Sequence, residues 1–247
     1  MNAVDEPRVP EIAVTLLSIV IPAYNEERFI GTLLQRIQAV DLRPLNVTKE
    51  IIVIDDCSRD RTSDIARSIP GVIVERHQTN GGKGRAVCTG IAKATGDYLI
   101  IQDADLEYDP QDYVPMLQAL VSGGADVVYG SRYAGRGFFG GKYAQQSWAA
   151  YLGGRSLSLM ALVCTGHYVS DTVTALKLFH RKDLLPLNLQ TTGFELDHEI
   201  TAKVLARGYR VMEVPIRYFP RSRAEGKKIG LRDWFIATQT FWKHRKG

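Results

Sequence analysis

Short apolar runs alternate with amphipathic helical patterns from Leu16 to Tyr129, and that alternation leaves the chain few ways to fold. Leu16–Ile21, Glu50–Ile54, Val72–Glu75, Tyr98–Gln102 and Asp126–Tyr129 read as strands. Between them Glu26–Val40, a stretch from about Arg61 to Ser68, and Gly84–Ala94 read as helices. A further helix opens at Pro110, after Asp109 as N-cap, and runs to about Val121. Strands separated by helices predict an α/β class: a single, mostly parallel sheet flanked by helices, with ligands at the carboxyl ends of its strands.

The pattern changes after Gly130. Gly135–Gly141 is rich in glycine and reads as a mobile lid, and Tyr143–Val163 as a helix. Thr174–Phe179 is expected to be a strand that closes the sheet, followed by a helix over Asp197–Arg207 and a strand over Arg210–Val214. Arg221–Lys228 is a charged loop, expected to act as a second lid. The chain therefore divides into a loose segment at 1–14, one domain over 15–230, and an amphipathic basic helix over 231–247. In that last helix Trp234, Phe235, Phe241 and Trp242 are expected on one face, with Lys243, Arg245 and Lys246 beyond them. Such a stripe suits an anionic membrane surface, the domain itself, or a partner.

Net charge is +4, a mild preference for anionic partners with no sign of nucleic-acid binding. Cys57, Cys88 and Cys164 show neither disulfide nor zinc spacing, and the five histidines show no metal spacing. No basic leader opens the chain, and no apolar run approaches the ~20 residues of a membrane span. The expected location is the cytoplasm, with a peripheral contact at the inner face of the membrane left open.

Three strand ends carry the chemistry. The fourth strand runs into Asp103-Ala104-Asp105, and alternation along an extended chain would put both carboxylates on one side. Like charges so placed call for a cation, and hard oxygen ligands suit Mg²⁺ or Mn²⁺ held with substrate phosphates. The first strand ends in Pro22-Ala23-Tyr24-Asn25-Glu26 and the second in Asp55-Asp56-Cys57-Ser58-Arg59-Asp60-Arg61-Thr62. Asp55 or Asp56 can accept hydrogen bonds from a uracil or guanine ring edge, whereas Asp60 reads as a helix cap. Asn80-Gly81-Gly82-Lys83-Gly84-Arg85-Ala86 brings glycines, a lysine and a helix start together. It is no Walker A loop, because Gly84 stands where Ser or Thr should follow the lysine, and no dinucleotide fingerprint.

Taken in order, Pro22–Glu26, Asp55–Thr62, Asn80–Ala86 and Asp103–Asp105 resemble glycosyltransferase family 2, within it the dolichyl- or polyprenyl-phosphate mannosyl- and glucosyltransferases. Gly130-Ser131-Arg132, Asp171–Thr174, Phe194–Asp197 and Val214 through Lys228 agree with it. The resemblance implies a GT-A fold and an inverting, metal-dependent transfer of a hexose from a UDP- or GDP-sugar. It places the nucleotide on Pro22, Tyr24, Glu26, Asp55 and Lys83. It places the metal on Asp105 with Asp103 nearby and Glu107 at the position of a second ligand. Arg132 and Arg221 match basic positions that face an acceptor phosphate, and Lys228 matches less closely.

The reaction makes sense of these residues. A departing nucleoside diphosphate gains negative charge, which a divalent cation and Lys83 can stabilise. A phosphate acceptor is already an oxyanion, so positioning by Arg132 and Arg221 suffices. A glycan or small-molecule hydroxyl needs a base, for which Asp171 is the first candidate and Asp197 the second; His198 is a candidate neighbour of the acceptor. Residues 171–177 lack the glycine typical of mannosyltransferase relatives, and the Gln-x-x-Arg-Trp pattern of processive synthases is absent. A sugar-nucleotide-binding protein without activity is the remote alternative.

Overall fold

A computed structural model of the chain describes residues 14–135, 146, 148–220 and 231–246. Arg221, Lys228, most of the glycine-rich segment and residues 1–13 lie outside the described residues. The strands are β1 (Thr15–Ala23), β2 (Val47–Asp55), β3 (Val72–Arg76), β4 (Tyr98–Ile101), β5 (Val127–Ser131), β6 (Lys177–His180) and β7 (Val211–Pro215). The helices are α1 (Ile30–Ala39), α2 (Thr62–Arg67), α3 (Lys83–Lys93), α4 (Tyr113–Val121), α5 (Trp148–Thr165), α6 (Arg181–Leu184), α7 (Leu196–Ala206) and α8 (Leu231–His244). Asp109 caps a 3₁₀ turn ahead of α4, its side chain accepting from the Gln111 N–H.

The strands form one sheet in the order β3-β2-β1-β4-β6-β5-β7. All neighbours are parallel except β6, which runs antiparallel to both β4 and β5. The strand expected to close the sheet therefore lies inside it, and β7 forms that edge. Its burial on both sides explains the unbroken run Leu176-Lys177-Leu178-Phe179, all fully buried.

Alternation along β1 divides the core. Leu17, Ile19 and Ile21 pack with α1 and α4 on one face, and Val20 packs with α3 and Ile91 on the other. Strand order reverses between β1 and β4: the chain proceeds from β1 towards β2 and β3, and from β4 towards β5 at the other end of the sheet. That reversal opens a crevice at the carboxyl ends of these two strands.

Helix α8 corrects the single-stripe expectation. Phe241 is fully buried against the His198 ring, 5.5 Å between centroids, and Trp234 Nε1 donates to Ser156 Oγ at 2.8 Å. Phe235 and Trp242 are about 60% exposed. Residues seven apart share a helix face, so 234 pairs with 241 and 235 with 242, the two pairs about 100° apart. Among the described residues no helix is long and apolar enough to cross a membrane.

Candidate active site

The loops after β1 and β2 are stitched together at the crevice. Asn25 N–H donates to Ser58 Oγ, Glu26 N–H to Thr62 Oγ1, and Arg59 N–H to Asn25 Oδ1, at 2.8–2.9 Å. Asp60 accepts from the Thr62 N–H at 3.0 Å, but it stands one residue before the N-cap position of α2, which is Arg61 and has no side-chain cap. Pro22 is buried at the end of β1, and Tyr24 stands 41% exposed beside the crevice.

Asp55 and Asp56 differ sharply. Asp56 accepts from His77 Nδ1 at 2.7 Å and from the Gly81 and Gly82 N–H groups at 2.7–3.0 Å. Asp55 is fully buried; Oδ1 accepts from the Ser58 N–H, and Oδ2 lies 3.3 Å from Arg76 Nε without an aligned hydrogen bond. The glycine loop therefore turns its N–H groups on Asp56. Its glycines serve close packing: a Cβ on Gly82 or Gly84 would lie 2.5 or 2.4 Å from the Thr192 or Thr191 carbonyl oxygen. Glu199 holds that opposing loop by accepting from the Gln190 and Thr191 N–H groups. The result is a rigid start to α3, where Lys83 sits.

Asp103 and Asp105 flank a turn and do not continue the pleat. Tyr98–Ile101 ends the strand, and Leu106 takes φ 58°, a left-handed conformation costly for a branched apolar residue. Asp105 Oδ1 accepts from the Glu107 N–H at 3.2 Å, which closes the turn locally. Asn25 and Cys57, two residues past the ends of β1 and β2, are left-handed as well.

A row of alternating charges leads inward from this turn. Lys83 Nζ lies 2.8 Å from Asp103 Oδ1 and 3.1 Å from Asp197 Oδ2, and Lys177 Nζ lies 3.2 Å from Asp197 Oδ1. Burial alone would lower the Lys83 pKa, but Asp103 and Asp197 outweigh it and raise it. Burial would raise the Asp197 carboxyl, yet Lys177 and Lys83 hold it below the usual range. Lys177 itself is lowered by burial, with Asp197 opposing.

The second cluster is built on Arg132, just after β5. Its Nε and Nη2 donate to Asp171 at 2.7 and 2.6 Å, and its backbone N–H donates to the same carboxylate at 3.0 Å. The guanidinium lies 5.0 Å from the Tyr218 ring centroid. Tyr218 donates to Glu107 Oε2 at 2.5 Å. Glu213 of β7 accepts from Ser170 and from the Asp171 N–H at 2.7–2.9 Å, and burial raises its pKa.

Lys177, Glu213 and Tyr218 escaped the reading of motifs. Lys177 had a signal, an ammonium within an apolar strand, which must find a counter-ion. Glu213 and Tyr218 had none, because their partners are remote in sequence.

A divalent cation fits the Asp103–Asp105 turn. Two hard carboxylates stand at the crevice, and an ammonium already lies 2.8 Å from Asp103 in the role of a counter-cation. Among the described residues no three His, Cys, Asp or Glu side chains converge on one point, and Glu107 bonds to Tyr218. Such a site suits a cation that takes its other ligands from substrate phosphate and water.

An acidic turn at the switch point of this mixed sheet defines a GT-A fold, the type used by nucleotide-sugar transferases. The chain belongs to glycosyl transferase family 2, whose model matches residues 18–184. It is 31% identical to dolichol-phosphate mannosyltransferase of Pyrococcus furiosus over 87% of this chain and 59% of that protein, so it spans little more than half of that relative. It is 26% identical to UDP-N-acetylglucosamine–dolichyl-phosphate N-acetylglucosaminyltransferase of Methanococcus voltae, over 87% and 90% of the two chains. Its fold matches glucosyl-3-phosphoglycerate synthase of Mycobacterium tuberculosis, crystallised with Mn²⁺, UDP-glucose and phosphoglyceric acid. There the TM-score is 0.67 at 20% identity, over 94% and 80% of the chains.

Proposed function

We propose that the protein is an inverting hexosyltransferase that moves a sugar from a UDP- or GDP-hexose to a polyprenyl-type phosphate. The observation that carries the acceptor is the condition of the two candidate bases. Asp171 is spent on Arg132, and Asp197 is shared by two lysines. A carboxylate held in this way is a poor proton acceptor, and a phosphate acceptor needs none. The names of the Pyrococcus and Methanococcus relatives support the same acceptor class.

The nucleotide lies along Pro22, Tyr24 and Glu26 in this reading. Asp55 takes the base edge, because Oδ2 has no hydrogen bond while both Asp56 oxygens are committed. Lys83 meets the diphosphate. Asp103 and Asp105 hold Mg²⁺ or Mn²⁺, which supplies Lewis-acid stabilisation of the leaving diphosphate. Arg132, oriented by Asp171 and faced by Tyr218, presents its remaining N–H donors to the acceptor phosphate, with Arg221 and Lys228 as further cations. Access to a lipid acceptor follows from a cytoplasmic protein that rests on the inner face of the membrane. The exposed Trp148, Leu152, Phe235 and Trp242 of α5 and α8 offer the contact.

The deciding experiment is a screen of UDP- and GDP-hexoses with polyprenyl phosphate, with and without Mg²⁺ or Mn²⁺, reading the glycosylated lipid by mass spectrometry. Metal-dependent formation of polyprenyl-phosphate hexose is expected. Turnover only on a glycan or small-molecule hydroxyl would replace the lipid reading. Nucleotide binding without any transfer would leave a binding protein.

A further inference from the structure

Lys177 is a fully buried ammonium that the proposed transfer does not use. It opens β6 between Leu176 and Leu178, both also fully buried. Its Nζ donates to the Thr174 carbonyl and to Asp197 Oδ1, and it lies 5.0 Å from the Tyr129 ring centroid. Tyr129 in turn bonds Thr201, whose hydroxyl donates to the Asp197 carbonyl, so the carboxylate's own helical turn is fixed. Charges then alternate outward: Lys177, Asp197, Lys83, Asp103. Side-chain exposure rises along that row from 0% through 9% and 10% to 25%, so only the outer end meets solvent and ligand.

A buried charge kept by evolution or by chance must be compensated in every state the site visits. Lys83 is the group that changes partners. In this structure it is shared between Asp103 and Asp197; in the function proposed above it would turn to the diphosphate when a nucleotide binds. If Lys83 were the only counter-ion of Asp197, that move would strand a carboxylate in the interior.

We propose that Lys177 is a positioning residue that makes Lys83 releasable: by keeping Asp197 paired, it lets the Lys83 ammonium pass to the donor diphosphate. This rests on the reading of Lys83 as the diphosphate-binding lysine. It also explains why Asp197 uses a different oxygen for each lysine. One bond is permanent, and the other is exchangeable.

The test is a double-mutant cycle read by calorimetry, using UDP and GDP with Mg²⁺ as probes and thermal unfolding as the check on folding. Lys177→Met is expected to weaken nucleotide binding by about tenfold or more, about 1.4 kcal/mol per tenfold. Adding Asp197→Asn removes the carboxylate that would be stranded, so Lys177→Met/Asp197→Asn should recover to within about threefold of wild type. In a Lys83→Met background, Lys177→Met should cost nothing further, because no ammonium remains to be released. A purely structural lysine would show none of this coupling. Affinity of Lys177→Met within about twofold of wild type, or a double variant as weak as Lys177→Met, overturns the proposal. If Lys177→Met does not fold, the double variant decides alone, and binding as weak as that of Lys83→Met overturns it. Wild-type protein that binds neither UDP nor GDP overturns the nucleotide reading itself, and this inference with it.

Discussion

The two sides of the sheet hold their polar groups differently. On the β3-β2-β1-β4 side, each strand end contributes a short loop, and partners come from loops that follow adjacent parallel strands. Asn25–Ser58 and Glu26–Thr62 span 33 and 36 residues and repeat the same β-α-β step. On the β6-β5-β7 side, charged groups find partners across the whole chain: Arg132 with Asp171, Glu213 with Ser170, the half-exposed Arg217 with Asp112, and Lys83 with Asp197, up to 114 residues apart. The first side is a scaffold whose loops, in the function proposed above, would receive the nucleotide. The second is a preassembled electrostatic network, costly to bury and correspondingly sensitive to the loss of one partner.

Breaking the first side at the acidic turn should have the largest effect. Asp105→Ala and Asp103→Ala should lower transfer by about a hundredfold or more, and EDTA should do the same to the wild type. Full turnover in EDTA would falsify the metal role of this turn.

Next comes the boundary between the two sides. Arg132→Ala removes charge-assisted hydrogen bonds of roughly 1.5–3 kcal/mol each, and should slow transfer by about ten- to a hundredfold while sparing nucleotide affinity. Asp171→Asn should follow it, since the guanidinium loses its anchor. Calorimetry showing lost nucleotide affinity in either variant would move Arg132 to the donor side.

Helix α8 sharpens the contrast between packing and surface. Phe241→Ala, at a fully buried ring, should destabilise the protein by about 3–5 kcal/mol in denaturant unfolding. Trp242→Ala, one residue on and 60% exposed, should change stability by less than about 0.5 kcal/mol and instead weaken salt-sensitive binding to anionic liposomes. Equal stability losses would mean that the two faces of α8 are not distinct.

The last effect, confined to acid pH, is a pH dependence at the edge of the charge network. His198 is buried beside Asp197, with Nδ1 unbonded, and burial pushes its pKa down from 6.5 to about 4. Asp197 opposes that shift, while Lys177 and Lys83 reinforce it. The folded value lies below the unfolded one, so between them the unfolded chain binds the extra proton. Stability from neutral His198 is complete above pH 6.5 and is lost as pH falls toward 4, by at most about 3 kcal/mol. His198→Phe should flatten that part of the stability profile; parallel profiles for the two proteins would show that another group carries the acid sensitivity.

Much of the first side was legible in the residues themselves. Strand and helix periods located β1 to β4, Asp109 announced its cap, and the strand-end carboxylates, Tyr24 and Lys83 fell where loops after parallel strands must meet. Even there, only the structure showed that Asp103 and Asp105 are set by a left-handed turn at Leu106, and that the glycine loop serves Asp56 and the Thr191–Thr192 carbonyls. On the second side Arg132, Asp171 and Asp197 were visible but their pairing was not, and Glu213 and Tyr218 gave no signal.

By itself the sequence determined the class of sheet, the edge at which chemistry collects and the acidic pair after the fourth strand, because hydrophobic period and strand-end residues are local properties written within a dozen neighbours. Tertiary structure alone decided that β6 runs antiparallel inside the sheet, that Asp171 is bound to Arg132, that Asp197 divides itself between Lys83 and Lys177, and that Phe241 and Trp242 face opposite environments. The physical reason is that any carboxylate can pair with any cation. Only the packed sheet, which brings residues 20 to 114 positions apart to within 3 Å or so of one another, selects which pairs form.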